Sequence, residues 1–208
     1  MQGSAFQYSK MDADCCNIAQ KTMPNASYWQ VDCAKVGYGS NAAMRVSGVS
    51  WTGWGLAGEI SSYLFDLPYL NTLSLSSNQL SGRIPDLWMQ VPNITTVTLD
   101  NNRLVGGIPE TLASSKNLQT LVLETNQLSG FVSYALQNSN IHTCTLASSL
   151  PQYGDNQFCV SATYSKNGSV CGSLPICIVN DCLNLNLAIK EMDTAGTLEF
   201  MCRDNQSN

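Results

Sequence analysis

The sequence has little charge, a single histidine and no long apolar run. Only 12% of its 208 residues are charged, and its ten Lys and Arg residues form no basic cluster of the kind that binds nucleic acid. No stretch is long and apolar enough to cross a bilayer, and the polar C-terminus lacks a lipid-anchor tail. These absences argue against a nucleic-acid partner and against a membrane span.

Cysteine, by contrast, is abundant. Nine Cys residues favour an oxidising compartment, where disulfides persist. Residues 1–7 contain no apolar signal segment, so we expect the leader to be missing from the sequence. Sequons of the form Asn-x-Ser/Thr agree with secretion to the extracellular space or cell wall, and they predict N-linked glycans at Asn25, Asn93, Asn167 and Asn205.

One pattern recurs every 24 residues. The phrase Leu-x-x-Leu-x-Leu-x-x-Asn-x-Leu-x-Gly-x-Ile-Pro begins at Leu70, Ile94 and Leu118, with conservative replacements. This period marks a leucine-rich repeat, in which each unit, here called a rung, buries its apolar face against its neighbours. We predict an α/β fold, a short right-handed solenoid with a parallel β-sheet on its concave side. Inward-turned asparagines are expected to tie successive rungs together at Asn78, Asn102 and Asn126.

A second apolar column recurs at the same period and predicts a short helical turn on the outer side of each rung, at Leu64, Trp88, Leu112 and Leu136. The first rung is degenerate, because Trp54 stands where the other rungs have Asn. Trp51 and Trp54 either seal the first rung beside the cap or form an exposed aromatic patch, and burial is the favoured expectation. Residues 1–45 are predicted to form an N-terminal cysteine cap, 46–146 about four rungs plus a closing strand, and 147–208 a cysteine-rich C-terminal cap.

The cysteines are expected to staple both caps. Cys16 and Cys33 are the most natural local pair, closing a short loop. Cys15 is left over, so its partner lies upstream, in another chain, or in a differently paired cap. After Val132 the pattern slips by one residue, which places Cys144 and Leu146 at strand positions. Six cysteines are available for three bridges whose connectivity spacing does not reveal: Cys144, Cys159, Cys171, Cys177, Cys182 and Cys202.

The phrases at 75–85 and 99–109 resemble those of plant-type extracellular leucine-rich-repeat proteins, which include receptor ectodomains and polygalacturonase-inhibiting proteins. Asp14, Cys15 and Cys16, followed by Trp29 and Cys33, resemble the N-terminal cap of that class. In that class the cysteine equivalent to Cys15 bonds to another further upstream; this sequence has none there, so the upstream part of the cap is expected to be missing or replaced. The resemblance implies that the chain is a secreted recognition or structural module. The C-terminal segment departs from the short two-cysteine cap of the class.

Outward strand positions should form a short, hydroxyl-rich concave face. Because side chains alternate along a strand, the residues between the buried leucines point outward. Ser and Thr are also simply soluble strand formers, and no Arg or aromatic anchor is present. The candidate binding residues, beside Ser50 and Thr52 of the first rung, are Thr72, Ser74, Ser76, Thr96, Thr98, Asp100, Thr120, Val122 and Glu124.

Nothing in the sequence favours chemistry over binding. Asp100 and Glu124 occupy equivalent positions one rung apart, but paired carboxylates need a cleft around the scissile bond, and a solenoid sheet is open. His142 is the only histidine and has no predicted nucleophile beside it. The cysteines do not form paired Cys-x-x-Cys knuckles. We therefore expect no catalytic, cofactor or metal site.

These features lead to one functional expectation and two alternatives. The first is a secreted, glycosylated, non-enzymatic module that binds a protein or an extracellular polysaccharide. The alternative is a structural subunit that assembles with other copies of itself into a fibre or coat. An inhibitor of a secreted hydrolase is a third reading, and it rests on the family resemblance alone.

Overall fold

The computed structural model describes residues 21–22, 28–38, 42–137, 141–147, 156–160, 171 and 174. Short helical segments alternate with its strands. They are 3-10 helices at Ser62–Asp66 and Trp88–Gln90, α1 at Glu110–Ala113 and α2 at Tyr134–Gln137. The strands are β1 Lys21–Thr22, β2 Tyr28–Val36, β3 Ala43–Thr52, β4 Ala57–Gly58, β5 Thr72–Ser74, β6 Gln79–Leu80, β7 Thr96–Thr98, β8 Val105–Gly106, β9 Thr120–Val122, β10 Gln127–Phe131, β11 Thr143–Thr145 and β12 Gln157–Cys159.

One seven-stranded sheet contains the predicted repeat strands in the order β1-β2-β3-β5-β7-β9-β11. From β3 onward every pairing is parallel, and its register follows the repeat, so that Leu73 lies beside Val97 and Val97 beside Leu121. Cys144 lies beside Leu121, as the one-residue slip predicts. On the opposite side, short parallel strands form the sheets β4-β6 and β8-β10-β12. The predicted α/β leucine-rich-repeat solenoid is confirmed.

The core is filled by the same repeat positions in each rung. The strand leucines Leu73, Leu99, Leu121 and Leu123 are completely buried. Behind them, the helical turns bury Trp88, Leu112 and Leu136, as the second apolar column predicts.

In the first of these turns, however, the fully buried residue is Phe65 and not Leu64. The Phe65 ring packs edge-to-face on the Trp88 indole, with ring centroids 4.9 Å apart. An edge-to-face aromatic pair adds to the area that both rings bury. This pairing gives a physical reason for Phe65 to take the inward position.

The N-terminal strands cap the first rung by an antiparallel hairpin. β2 pairs with β3 along its whole length, from Tyr28 opposite Thr52 to Val36 opposite Ala43, with an irregularity between Asp32 and Cys33. Trp51 and Trp54 are half-buried, and Trp51 packs against the core. β3 runs through position 45, so the expected boundary between cap and repeats falls inside a strand.

Candidate binding face

The outward positions of the seven-stranded sheet form one continuous polar surface, here called the concave face. Its first row runs through Gly48, Thr72, Thr96, Thr120 and Thr143, and its second through Ser50, Ser74, Thr98, Val122 and Thr145. Most of these side chains are half-buried, in contrast to the fully buried leucines between them. A third set lies one step further along each strand and comprises Thr52, Ser76, Asp100 and Glu124.

In the N-terminal half of the concave face, which extends through the rung of β7, most of the polar side chains are hydrogen-bonded to a neighbour. The Thr98 hydroxyl donates to Ser74 Oγ at 2.7 Å, and the hydroxyls of Ser74 and Thr52 are 3.4 Å apart. The Ser76 hydroxyl donates to Asp100 Oδ1 at 2.5 Å, and Asn101 Nδ2 donates to Asp100 Oδ2 at 3.0 Å. These hydroxyls and the Asp100 carboxylate are therefore held in place by their neighbours.

The C-terminal half is different. Among the described residues, the Thr120 hydroxyl and the Glu124 carboxylate make no side-chain hydrogen bond. Val122 is half-buried between them and is the one apolar branched side chain in the two rows. This half therefore presents an unbonded hydroxyl and carboxylate beside a small apolar patch.

Asp100 and Glu124 are carried by neighbouring rungs, as their spacing predicts, and the backbone N–H of Asn101 donates to the Glu124 carbonyl at 3.1 Å. Both carboxyl side chains are half-buried on the open sheet. The Asp100 carboxylate is already engaged, because it accepts hydrogen bonds from the Ser76 hydroxyl and from Asn101 Nδ2. The arrangement suits attraction of a cationic group better than acid-base chemistry, which requires water to be excluded around a bound bond.

The asparagines form a hydrogen-bonded ladder through the solenoid. Asn126 is 1% exposed; its Nδ2 donates to the carbonyls of Leu99 and Leu123 at 2.9 and 3.0 Å, and its Oδ1 accepts from the Leu104 N–H at 3.0 Å. Asn78 and Asn102 bind the equivalent backbone groups of their own rung and of the rung before it.

A further ladder residue, Asn156, escaped the sequence analysis. Its Nδ2 donates to the carbonyls of Leu123 and Leu146, both at 2.7 Å, and its Oδ1 accepts from the Leu128 N–H at 2.9 Å. Two residues later, Phe158 is buried like the leucine of the other rungs. We therefore propose that the repeats extend to Val160, in place of the expected boundary after residue 146.

One cysteine bridge is defined at the end of the solenoid. Cys144, in β11, is bonded to Cys171, with their Cα atoms 4.4 Å apart. Cys33 and Cys159 are also disulfide-bonded, and their partner cysteines lie outside the described residues. Five other cysteines for which a bridge or a free thiol was expected lie outside the described residues, namely Cys15, Cys16, Cys177, Cys182 and Cys202.

The remaining candidate residues are on the surface or undescribed. Asn93 is exposed in the loop before β7, whereas the sequons at Asn25, Asn167 and Asn205 lie outside the described residues. His142 is exposed next to β11. Within the described part of the chain, His, Cys, Asp and Glu side chains form no cluster that could hold a metal ion, and no helix is long and apolar enough to span a membrane.

Comparison with known proteins places these features in context. A family model described as Leucine Rich Repeat matches residues 69–90. Among solved structures, the chain is similar to one in the BIR3–SERK2 complex from Arabidopsis thaliana, with a TM-score of 0.55 and 27% identity over 70% of this chain and 79% of that one. The chain is also similar to the ectodomain of the receptor kinase SOBIR1 from Arabidopsis thaliana, with a TM-score of 0.52 and 27% identity over 62% of this chain and 67% of that one.

A longer protein, in the structure of PEPR1 with AtPEP1, is matched at a TM-score of 0.46 and 28% identity over 55% of this chain. The chain covers only 15% of that protein's length. Comparison with curated proteins gave no significant match. Motif, sheet register and structural neighbours together identify the chain as a leucine-rich-repeat solenoid that resembles plant extracellular receptor ectodomains.

Proposed function

We propose that the protein is an extracellular, non-catalytic recognition module that binds a protein or peptide on the C-terminal half of its concave face. The observation that carries this proposal is the contrast between the two halves of that face. Most polar side chains of the N-terminal half are hydrogen-bonded to a neighbour, whereas Thr120 and Glu124 have no side-chain partner among the described residues and flank Val122. Half-buried polar groups gain most from a ligand when they are not already bonded.

The structural neighbours support a protein partner over a small substrate. The similar chain in the BIR3–SERK2 structure belongs to a complex of two proteins, and this chain covers most of its length. A shallow sheet face also suits an extended or protein surface better than a small molecule, because small-molecule sites are concave pockets that enclose their ligand. A polysaccharide is the competing ligand class, and the experiment below separates the two.

We also propose that Asn93 carries an N-linked glycan in the secreted protein. Its side chain is exposed, and its Nδ2 donates to the Pro68 carbonyl at 3.1 Å. A glycosylated amide keeps one N–H, so this hydrogen bond can persist after modification. We expect N-glycosidase treatment of the secreted chain to increase its gel mobility, with a smaller increase for Asn93→Gln.

Photo-crosslinking tests the binding proposal. A benzophenone amino acid at position 120 reports on the concave face, and the same group at position 89 reports on the outer side, where Met89 is 80% exposed. Each labelled chain is incubated separately with the secreted proteins and with the wall polysaccharides of the source cells. We expect a protein adduct from position 120 that disappears when Thr98→Trp blocks the sheet.

Two results would overturn the proposal. Equal protein adducts from positions 120 and 89 would show that the concave face is not selective. Binding of the polysaccharide fraction alone would show that the partner is not a protein. Protein adducts that survive Thr98→Trp would show that the partner does not bind this part of the sheet. Thr98→Trp must keep the unfolding midpoint of the parent chain, which circular dichroism checks.

A further inference from the structure

The N-terminal hairpin extends beyond the sheet that it caps. β3 pairs with β5 only through Gly48–Ser50, whereas its pairing with β2 continues to Val36 opposite Ala43. The segment made by residues 33–38 and 42–46, here called the arm, therefore has no strand beside it except its own partner within the described residues. At about 3.3 Å per residue, the paired part of the arm is roughly 13 Å long.

The arm is unusually rich in groups that occur at protein interfaces. Tyr38 is 96% exposed and Met44 48% exposed, and Lys35 and Arg45 are exposed beside them. Residues 33–46 include no Asp or Glu, although the whole chain has a net charge of −5. Tyr, Met and Arg are enriched in interface cores, whereas a purely solvated hairpin gains nothing from exposing Tyr and Met.

The concave face has the complementary composition. Outside the arm, its outward positions among the described residues include Asp32, Asp100 and Glu124 but no Lys or Arg. The arm cannot fold onto the concave face of its own chain, because its strands are the in-plane continuation of β2 and β3 in the same sheet. Only a second copy can bring a basic arm to this acidic face.

We propose that the arm of one copy binds the C-terminal half of the concave face of a second copy. Arg45 then approaches Glu124, and the exposed Tyr38 covers Val122. This inference rests on the proposed function in using the same face, and it names a second copy as a partner. Because arm and face are different surfaces, the contact is head-to-tail and can continue from copy to copy.

The small size of the arm predicts a weak, salt-sensitive association. An interface below roughly 1,200 Å² is typical of transient contacts, and exposed charges are screened at physiological salt. Sedimentation velocity of the full chain over a wide range of concentration, at low and high salt, measures this association directly. Non-reducing electrophoresis of the same samples separates it from a disulfide-linked dimer.

Charge reversal identifies the two surfaces. We expect Arg45→Glu, Tyr38→Ala and Glu124→Arg each to weaken self-association by about tenfold or more. Matched controls are Lys116→Glu and Tyr63→Ala, which change an exposed Lys and an 80% exposed Tyr away from both surfaces. These controls should associate like the parent chain.

A mixture of two variants tests the head-to-tail geometry. The Glu124→Arg chain keeps an intact arm, and the Arg45→Glu chain keeps an intact concave face, so their equimolar mixture should regain association that neither shows alone. An arm-to-arm contact would not recover in this way. Purely monomeric behaviour of the parent chain, or equal loss in the controls, would overturn the inference, while protein adducts at position 120 would still support the proposed function.

Discussion

Replacing the buried Asn126 by Leu should destabilise the solenoid. The substitution removes the partner of the Leu104 N–H in a place that is 1% exposed, whereas the Leu99 and Leu123 carbonyls keep hydrogen bonds from Asn102 and Asn156. A buried backbone group left unpaired costs about 1 to 3 kcal/mol, each of the two other lost hydrogen bonds costs about 1 kcal/mol, and the apolar leucine recovers about 1 kcal/mol by burial. We expect a loss of roughly 3 kcal/mol.

Urea unfolding followed by circular dichroism measures this loss as a decrease in the transition midpoint at constant slope. Asn117→Leu is the matched control, because Asn117 is exposed and its side chain makes one hydrogen bond, 3.0 Å long, to the Pro92 carbonyl. We expect it to cost less than about 1 kcal/mol. Equal effects of the two substitutions would refute the ladder argument, because burial and hydrogen bonding would then not distinguish the sites.

Three further predictions concern the core, the turns and the C-terminal bridge. Trp88→Ala should cost about 4 kcal/mol through the cavity it leaves, whereas Met89→Ala, at an 80% exposed position, should be nearly neutral in the same urea titration. Thr125→Asn should increase the free energy of unfolding by about 0.5 to 1 kcal/mol and so raise the melting temperature, because a β-branched residue adopts φ 56° poorly. A lower melting temperature would contradict this. Replacing both Cys144 and Cys171 by Ala removes a disulfide that spans 27 residues and should lower the free energy of unfolding by about 3.5 kcal/mol. An unchanged unfolding midpoint would show that the disulfide does not restrict the conformational entropy of the unfolded chain.

The rungs were predictable because one apolar period constrains every level of their structure. The 24-residue spacing predicts the strand register, and the parallel pairs from Gly48 beside Thr72 to Thr98 beside Val122 follow it without a shift. Side-chain alternation along each strand then separates the buried leucines from the half-buried concave positions. In this part of the chain, local sequence and global packing require the same residues to face inward.

Asn156 was not predictable from the period, because an insertion separates it from its strand. Asn126 follows Leu123 by three residues, but Asn156 follows the equivalent Leu146 by ten. Loop length changes the spacing without changing which backbone groups need a partner, since the carbonyls of Leu123 and Leu146 remain buried at this position. A search for an Asn-x-Phe or Asn-x-Leu phrase with a variable preceding loop would have found it.

The free half of the concave face also required the structure. Sequence places Ser74, Thr98 and Thr120 all at outward positions and cannot tell a bonded hydroxyl from a free one. That difference depends on side-chain distances across rungs, such as the 2.7 Å between the Thr98 and Ser74 hydroxyls. The concave face was therefore predictable from the sequence, whereas the location of its unbonded side chains in the C-terminal half was not.

The left-handed turn before each ladder position is imposed by the stacking of rungs and not by the asparagine side chain. Ser77, Asn101 and Thr125 have φ between 54° and 58°, and the N–H groups of Ser77 and Asn101 donate to the next rung. Gly53 adopts φ 71° at the equivalent place and donates to the Ser76 carbonyl at 3.0 Å, although Trp54 follows it where the other rungs have Asn. The backbone bond between rungs thus forms without the asparagine.

The ladder therefore adds a second, separable stabilisation to that turn. In the first rung, Asn78 Oδ1 accepts from the N–H groups of both Trp54 and Leu56, at 3.0 Å each, so the next rung supplies the asparagine that the first one lacks. Every ladder asparagine serves the backbone of the rung before it in this way. A terminal rung can consequently lose its own asparagine at small cost, and losing Asn126 inside the array removes contacts on two rungs at once.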